Sequence, residues 1–127
     1  MFRNYNGISK KLLTEKKCLY LKADMDSFVF SNASPIEQAL VRNINEVSPK
    51  VVLLDIETVT TMDSTGVGVL ISVTAECKKN ACSVYLCNVD DHVLHVFDIL
   101  QIGAFIPVVK LEDFLGGSLC QKTTLIS

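Results

Sequence analysis

The sequence predicts a single α/β domain on a largely parallel sheet, and three observations lead there. Short apolar runs alternate with longer amphipathic stretches from residue 30 onward, the pattern of repeated βαβ units. Val51-Val52-Leu53-Leu54-Asp55-Ile56 is a continuous branched run too short for a helix, the mark of a central strand covered on both faces or nearly so. A chain of 127 residues, 49% of them hydrophobic, holds one core and is short for two. We expect one domain over 1–127, with its core at about 8–116 and a tail at 117–127.

The elements follow in order. Ile8 to Leu13 and Cys18 to Ala23 read as two strands joined by a tight connection at Thr14-Glu15-Lys16-Lys17. Ser34-Pro35-Ile36-Glu37 combines a cap hydroxyl, a proline at the first helical position and a glutamate three residues after the cap, so a helix starts there. Its apolar stripe is Ile36, Leu40, Ile44 and Val47, and Ser48-Pro49 stops it. The Val51–Ile56 strand comes next.

Val67, Val69, Ile71, Val73 and Thr74 are β-branched and by propensity alone favour a strand. A helix is predicted instead. Asp63-Ser64-Thr65 offers cap residues, and Lys78-Lys79 puts cations where the helix dipole favours them. Ser83 to Cys87 is a further strand, Asp90 to Leu100 a helix with Gly103 just beyond it, Phe105 to Val109 a strand, and a short helix begins at Leu111. The sheet should hold four to five strands, mixed but mostly parallel, with packed helices.

Composition excludes several functions. A formal net charge of −2 and a pI near 5.6 provide no footprint for a nucleic-acid backbone. Lys10, Lys11, Lys16 and Lys17 read as the solvated flanks of a hairpin. No run is apolar enough for a signal-peptide core or a membrane span, so a cytoplasmic protein is expected, with no membrane partner. The five cysteines, Cys18, Cys77, Cys82, Cys87 and Cys120, contain no C-x-x-C pair and read as small buried hydrophobes. His92 and His95 stand three apart, whereas metal-binding pairs on a helix usually stand four apart, and Gly66-x-Gly68 lacks a phosphate-loop lysine. No metal, cofactor or enzymatic activity is predicted. Close backbone packing is the reading for both glycines.

Met62-Asp63-Ser64-Thr65-Gly66-Val67-Gly68-Val69 resembles the signature of the STAS-type anti-sigma factor antagonists, in which a phosphorylatable serine follows an aspartate at the entry to a helix. The context matches too: the segment follows an apolar strand and opens a helix, and Phe97-Asp98 with Gly103 recurs as in the family's next helix. The similarity runs over roughly 18–116. It implies a bacterial regulator that, unphosphorylated, binds an anti-sigma factor which is itself a serine kinase, and so frees a sigma factor. It also implies that phosphorylation of Ser64 ends the interaction and that a PP2C-type phosphatase is a further partner. Partner binding would then involve Asp26, Asp63, Ser64, Thr65 and Gly66, with Asp26 matching the family's aspartate after the second strand.

Two features of this region bear alternative readings. Ser64 is either a helix cap, a phosphate acceptor or both. Val69 and Val73, four apart, project outward as an apolar docking stripe if Val67, Leu70, Ile71 and Thr74 face the sheet; otherwise they are ordinary surface valines. The chain also departs from the family at Ala23, where glycine is usual, and in its longer 27–33 link carrying Phe28 and Phe30.

Other classes compete. A response-regulator receiver would use Asp55 as phosphoacceptor, but only 29 positions separate Asp26 from Asp55, room for one helix where a receiver needs two. A STAS domain serving as a scaffold or transporter-accessory subunit keeps the fold and changes the partner.

Overall fold

The structure, a computed structural model, describes residues 3–5, 8–13, 18–110, 112 and 125–126. Its elements are β1 (Arg3–Tyr5), β2 (Ile8–Leu13), β3 (Cys18–Ala23), β4 (Ser27–Phe28), α1 (Ala33–Val47), β5 (Val51–Asp55), β6 (Thr61–Met62), α2 (Ser64–Lys79), β7 (Ser83–Cys87), α3 (Asp91–Leu100), β8 (Val108–Val109) and β9 (Leu125–Ile126), with a 3₁₀ turn at Ile102–Ala104. The main sheet runs β1-β2-β3-β5-β7-β8, and β9 also pairs with β2. β2 is antiparallel to β3, whereas β3, β5, β7 and β8 are mutually parallel. Four of the five strands predicted from the sequence, β2, β3, β5 and β7, form its middle; the fifth, β8, is at one edge, and the short β1 and β9 both pair with β2.

Parallel strands laid down in sequence order step in one direction across the sheet, and right-handed crossovers then place successive helices on one face. α1 and α2 are therefore neighbours. Along each strand alternate residues point to opposite faces. Leu19, Leu21, Val52, Leu54, Val84 and Leu86 belong to the main core with the helices, while Cys18, Leu53 and Cys87 form a second buried cluster with Tyr20, Val51, Tyr85 and Val109. Each fully buried Leu or Val contributes about 1.5–3 kcal/mol.

That arrangement corrects the outward stripe. Val69 and Val73 are only 8% and 5% exposed and lie in the main core. α2 packs on the sheet and on α1 at once, so two sides of it are buried, and a one-face wheel assigns the second side to solvent.

Two boundaries also move. α1 begins at Ala33, so Ser34 and Pro35 lie inside its first turn; Asn32 occupies the cap position but makes no capping bond. Its side chain instead accepts from Val29 N–H at 2.9 Å and donates to Ser27 O at 2.7 Å, closing the 27–32 link. The last predicted strand shrinks to Val108–Val109, because Ile102–Ala104 winds into a 3₁₀ turn and Phe105 follows it exposed. The connection at 14–17 and, apart from Glu112, the helix predicted from Leu111 onward lie outside the described residues.

Candidate interaction site at the head of the second long helix

Asp63 settles which residue caps α2. In extended conformation, it accepts Gly66 N–H on Oδ1 at 3.0 Å. Its other oxygen, Oδ2, accepts Phe30 N–H at 3.0 Å, a bond across 33 residues that ties the 27–32 link to the helix entrance. The Gly66 bond first, then Phe30 and Thr65 N–H, stabilise the carboxylate and hold Asp63 below the ordinary carboxylate range. Ser64 is consequently the first helical residue and not the cap, and it is exposed. Thr65 beside it is half-buried.

Gly66 permits the geometry. A Cβ there would lie 2.2 Å from Phe28 O and 2.9 Å from Met62 Cγ, so the helix can rest against the β4–β6 pair only if position 66 lacks a side chain. Gly68 differs from the expectation of close packing: a Cβ there meets nothing within 4 Å.

β4 and β6 form a separate parallel pair, Ser27 opposite Thr61 and Phe28 opposite Met62. Phe28 and Met62 are buried, anchoring the pair in the core, whereas Phe30 is 79% exposed. The two phenylalanines of the link thus have opposite roles. Asp26 precedes the pair, and its carbonyl accepts Thr60 N–H at 2.9 Å and Thr61 N–H at 3.2 Å. Its carboxylate-bearing residue is exposed. Because Asp26 enters the pair while Asp63 and Ser64 leave it, they lie at opposite ends, within about 13 Å at full strand extension. The structure therefore gathers Asp63, Ser64, Thr65, Gly66 and the Phe30 backbone at the head of α2, with Asp26 at the opposite end of the β4–β6 pair and Val69 and Val73 beneath the surface. Phe30 was not assigned there from sequence; its bond to Asp63 leaves no local signal.

Nearby, at the carboxyl end of β5, buried Asp55 is fully engaged. The Tyr20 hydroxyl and Asn88 Nδ2 donate to Oδ2, the latter at 3.1 Å, and Glu57 N–H donates to Oδ1 at 3.0 Å. Burial, then the bond to Asp55, pushes the Tyr20 phenol well above its ordinary value. A carboxylate so enclosed is a structural anchor for the strand end and not an open phosphoacceptor. No helix among the described residues is long and apolar enough to cross a membrane.

Solved structures share this fold. The anti-sigma factor antagonist SpoIIAA in its unphosphorylated form superposes with a TM-score of 0.67 at 18% identity, over 84% of this chain and 90% of that one. TM1081, a putative anti-sigma factor antagonist of Thermotoga maritima, gives 0.69 in its NMR structure at 12% identity, over 88% of both chains. The transporter SLC26A9 gives 0.56 at 15% identity over 69% of this chain, which spans only 16% of that protein's length. These likenesses establish the fold. The profile of the STAS domain covers residues 11–114, from β2 through the site at Ser64 to the end of the parallel strands. By that match and by its topology, the chain belongs to the STAS domain family.

Proposed function

We propose that the chain is an anti-sigma factor antagonist. Its unphosphorylated form binds an anti-sigma factor that is a serine kinase and releases a sigma factor; phosphorylation at Ser64 switches it off, and a PP2C-type phosphatase reverses the switch. The observation that carries this reading is the division of labour at the head of α2. Asp63 does the capping, which leaves Ser64 exposed, and its other oxygen holds the N–H of exposed Phe30.

A phosphate on Ser64 would carry close to two negative charges at pH 7. Helix N–H groups favour an anion there, so the fold tolerates it. The interface does not. A partner seated over Phe30 and Ser64 would have to desolvate that dianion next to Asp63, at a cost of several kcal/mol, on the order of a thousandfold or more in affinity. SpoIIAA, which shares the fold, exists in unphosphorylated and phosphorylated forms. The test is incubation with ATP and anti-sigma kinases from the same source, followed by phosphosite mapping. Phosphate on Ser64 alone is the expected result.

A second reading has its own support, since a sulfate transporter family protein of Wolinella succinogenes shares the fold over 76% of this chain with a TM-score of 0.62. Stable binding to a transporter or scaffold without phosphorylation of Ser64 would favour that accessory role.

A further inference from the structure

At the far end of α2, about 20 Å from Ser64 along the helix axis, the chain reverses through a left-handed turn. Ala81 has φ 56°, its N–H donates to Lys78 O at 3.2 Å, and Cys82 N–H donates to Cys77 O at 2.9 Å. This is the paired-bond helix ending in which the residues at the two ends of the longer bond come into side-chain contact. Here both are cysteines. They are buried from bulk solvent, yet both line a cleft of about 320 Å³ between the C-terminal halves of α1 and α2, together with Val41, Ile44, Val73 and Glu76. The sequence spacing, five residues, matches no metal or redox motif, which is why it carries no signal before folding.

We propose that Cys77 and Cys82 form an oxidisable dithiol, a modification site at which hydrogen peroxide entering the α1–α2 cleft closes a disulfide across the end of α2. The Cys82 N–H bond to Cys77 O and the left-handed Ala81 draw the two backbones together, the direction a disulfide needs, since it spans Cα atoms no more than about 7 Å apart. The thiols differ. Cys82 S–H donates to Ser83 O at 3.9 Å, and the interaction between the two thiols lowers the Cys77 pKa and raises that of Cys82, against the opposing effects of burial and of Glu76 on Cys77. Cys77 is therefore the nucleophile. Its thiolate sulfur attacks one peroxide oxygen; the O–O bond breaks, a sulfenic acid forms, and the other oxygen leaves as water after taking up a proton. Cys82 sulfur then attacks Cys77 sulfur; the S–S bond forms and the sulfenic oxygen leaves as a second water. Two thiols lose two electrons and one peroxide is reduced.

The chain itself supplies the readout. Lys78 and Lys79 lie between the cysteines, so trypsin separates Cys77 from Cys82 in the reduced protein and leaves them joined by sulfur in the oxidised one. The full-length protein is treated with hydrogen peroxide, the remaining thiols are alkylated, and the digest is mapped without reductant. We expect loss of two of the five thiols and one dominant linked pair, Cys77 with Cys82, that dithiothreitol releases. Cys82→Ala should stop at a sulfenic acid on Cys77 that dimedone traps, and Cys18→Ala should leave the linkage unchanged. Circular dichroism establishes that each variant is folded. Linkage of Cys82 to Cys18 or to any other cysteine overturns the proposal, as does wild-type protein that keeps all five thiols or is oxidised only between molecules.

Discussion

Replacing Gly66 and Gly68 separately by alanine tests the geometry of the Ser64 site with an internal control. Both glycines lie in α2, two residues apart, and helix propensity favours alanine at each by up to about 1 kcal/mol. Sterics separate them. At position 68 the added methyl meets open space, so Gly68→Ala should stabilise the fold. At position 66 it would stand 2.2 Å from a backbone carbonyl oxygen and 2.9 Å from Met62 Cγ. Met62 can rotate away. Phe28 O cannot, because Phe28 is buried and paired with Met62 across β4 and β6. Relief needs a shift of roughly 1 Å of the β4 backbone, and overpacking of this kind costs about 1–3 kcal/mol. Net of a full propensity gain, Gly66→Ala should destabilise by up to about 2 kcal/mol and lower Tm by up to roughly 10 °C. Urea unfolding followed by circular dichroism reads both variants. Shifts of the same sign would refute the close approach of the two elements, and with it the tie between Phe30 and Asp63 at the head of α2.

Four further outcomes follow from the site and its supports. Ser64→Ala should fold, resist phosphorylation and bind its kinase partner constitutively, while Ser64→Asp should bind more weakly; equal affinity of the Asp variant and wild type would rule out electrostatic exclusion. Phe30→Ala should change stability by no more than about 0.5 kcal/mol yet weaken partner binding by about 2 kcal/mol, near thirtyfold, in a calorimetric titration; an unchanged Kd would remove Phe30 from the interface. Val69→Glu places a charge in the main core and should cost more than about 3 kcal/mol, so a cooperative thermal transition at the wild-type Tm would restore the surface stripe. Tyr20 has its phenol raised above the unfolded value of 10.0, so its contribution is complete below pH 10 and is lost as pH rises beyond it; Tyr20→Phe should show a shallower alkaline loss of stability, and identical slopes would dissociate Tyr20 from the effect.

The sequence was most legible where local signals agree with the global packing. α2 was recognisable despite its valines because Asp63 and Lys78-Lys79 mark its ends, and β5 because both of its faces are occupied. Errors arose where one local pattern served two structures. Ser34-Pro35-Ile36-Glu37 imitates a helix start, but Asn32 is committed to the 27–32 link and the helix begins at Ala33. Val69 and Val73 looked outward because the sheet accounts for only one side of α2; their burial depends on strand order, which places α1 alongside. Nothing local announces the Phe30–Asp63 bond or the Cys77–Cys82 contact, since one spans 33 residues and the other depends on a left-handed residue at Ala81.

The central claim is that charge on Ser64 decides whether a partner can bind. The most direct measurement is the affinity of the anti-sigma kinase for the same chain before and after stoichiometric phosphorylation, at fixed salt. A drop of about a thousandfold or more, with the circular dichroism spectrum and Tm retained, is the predicted result. Equal affinity of the two forms, or a loss of binding that accompanies unfolding, would contradict it.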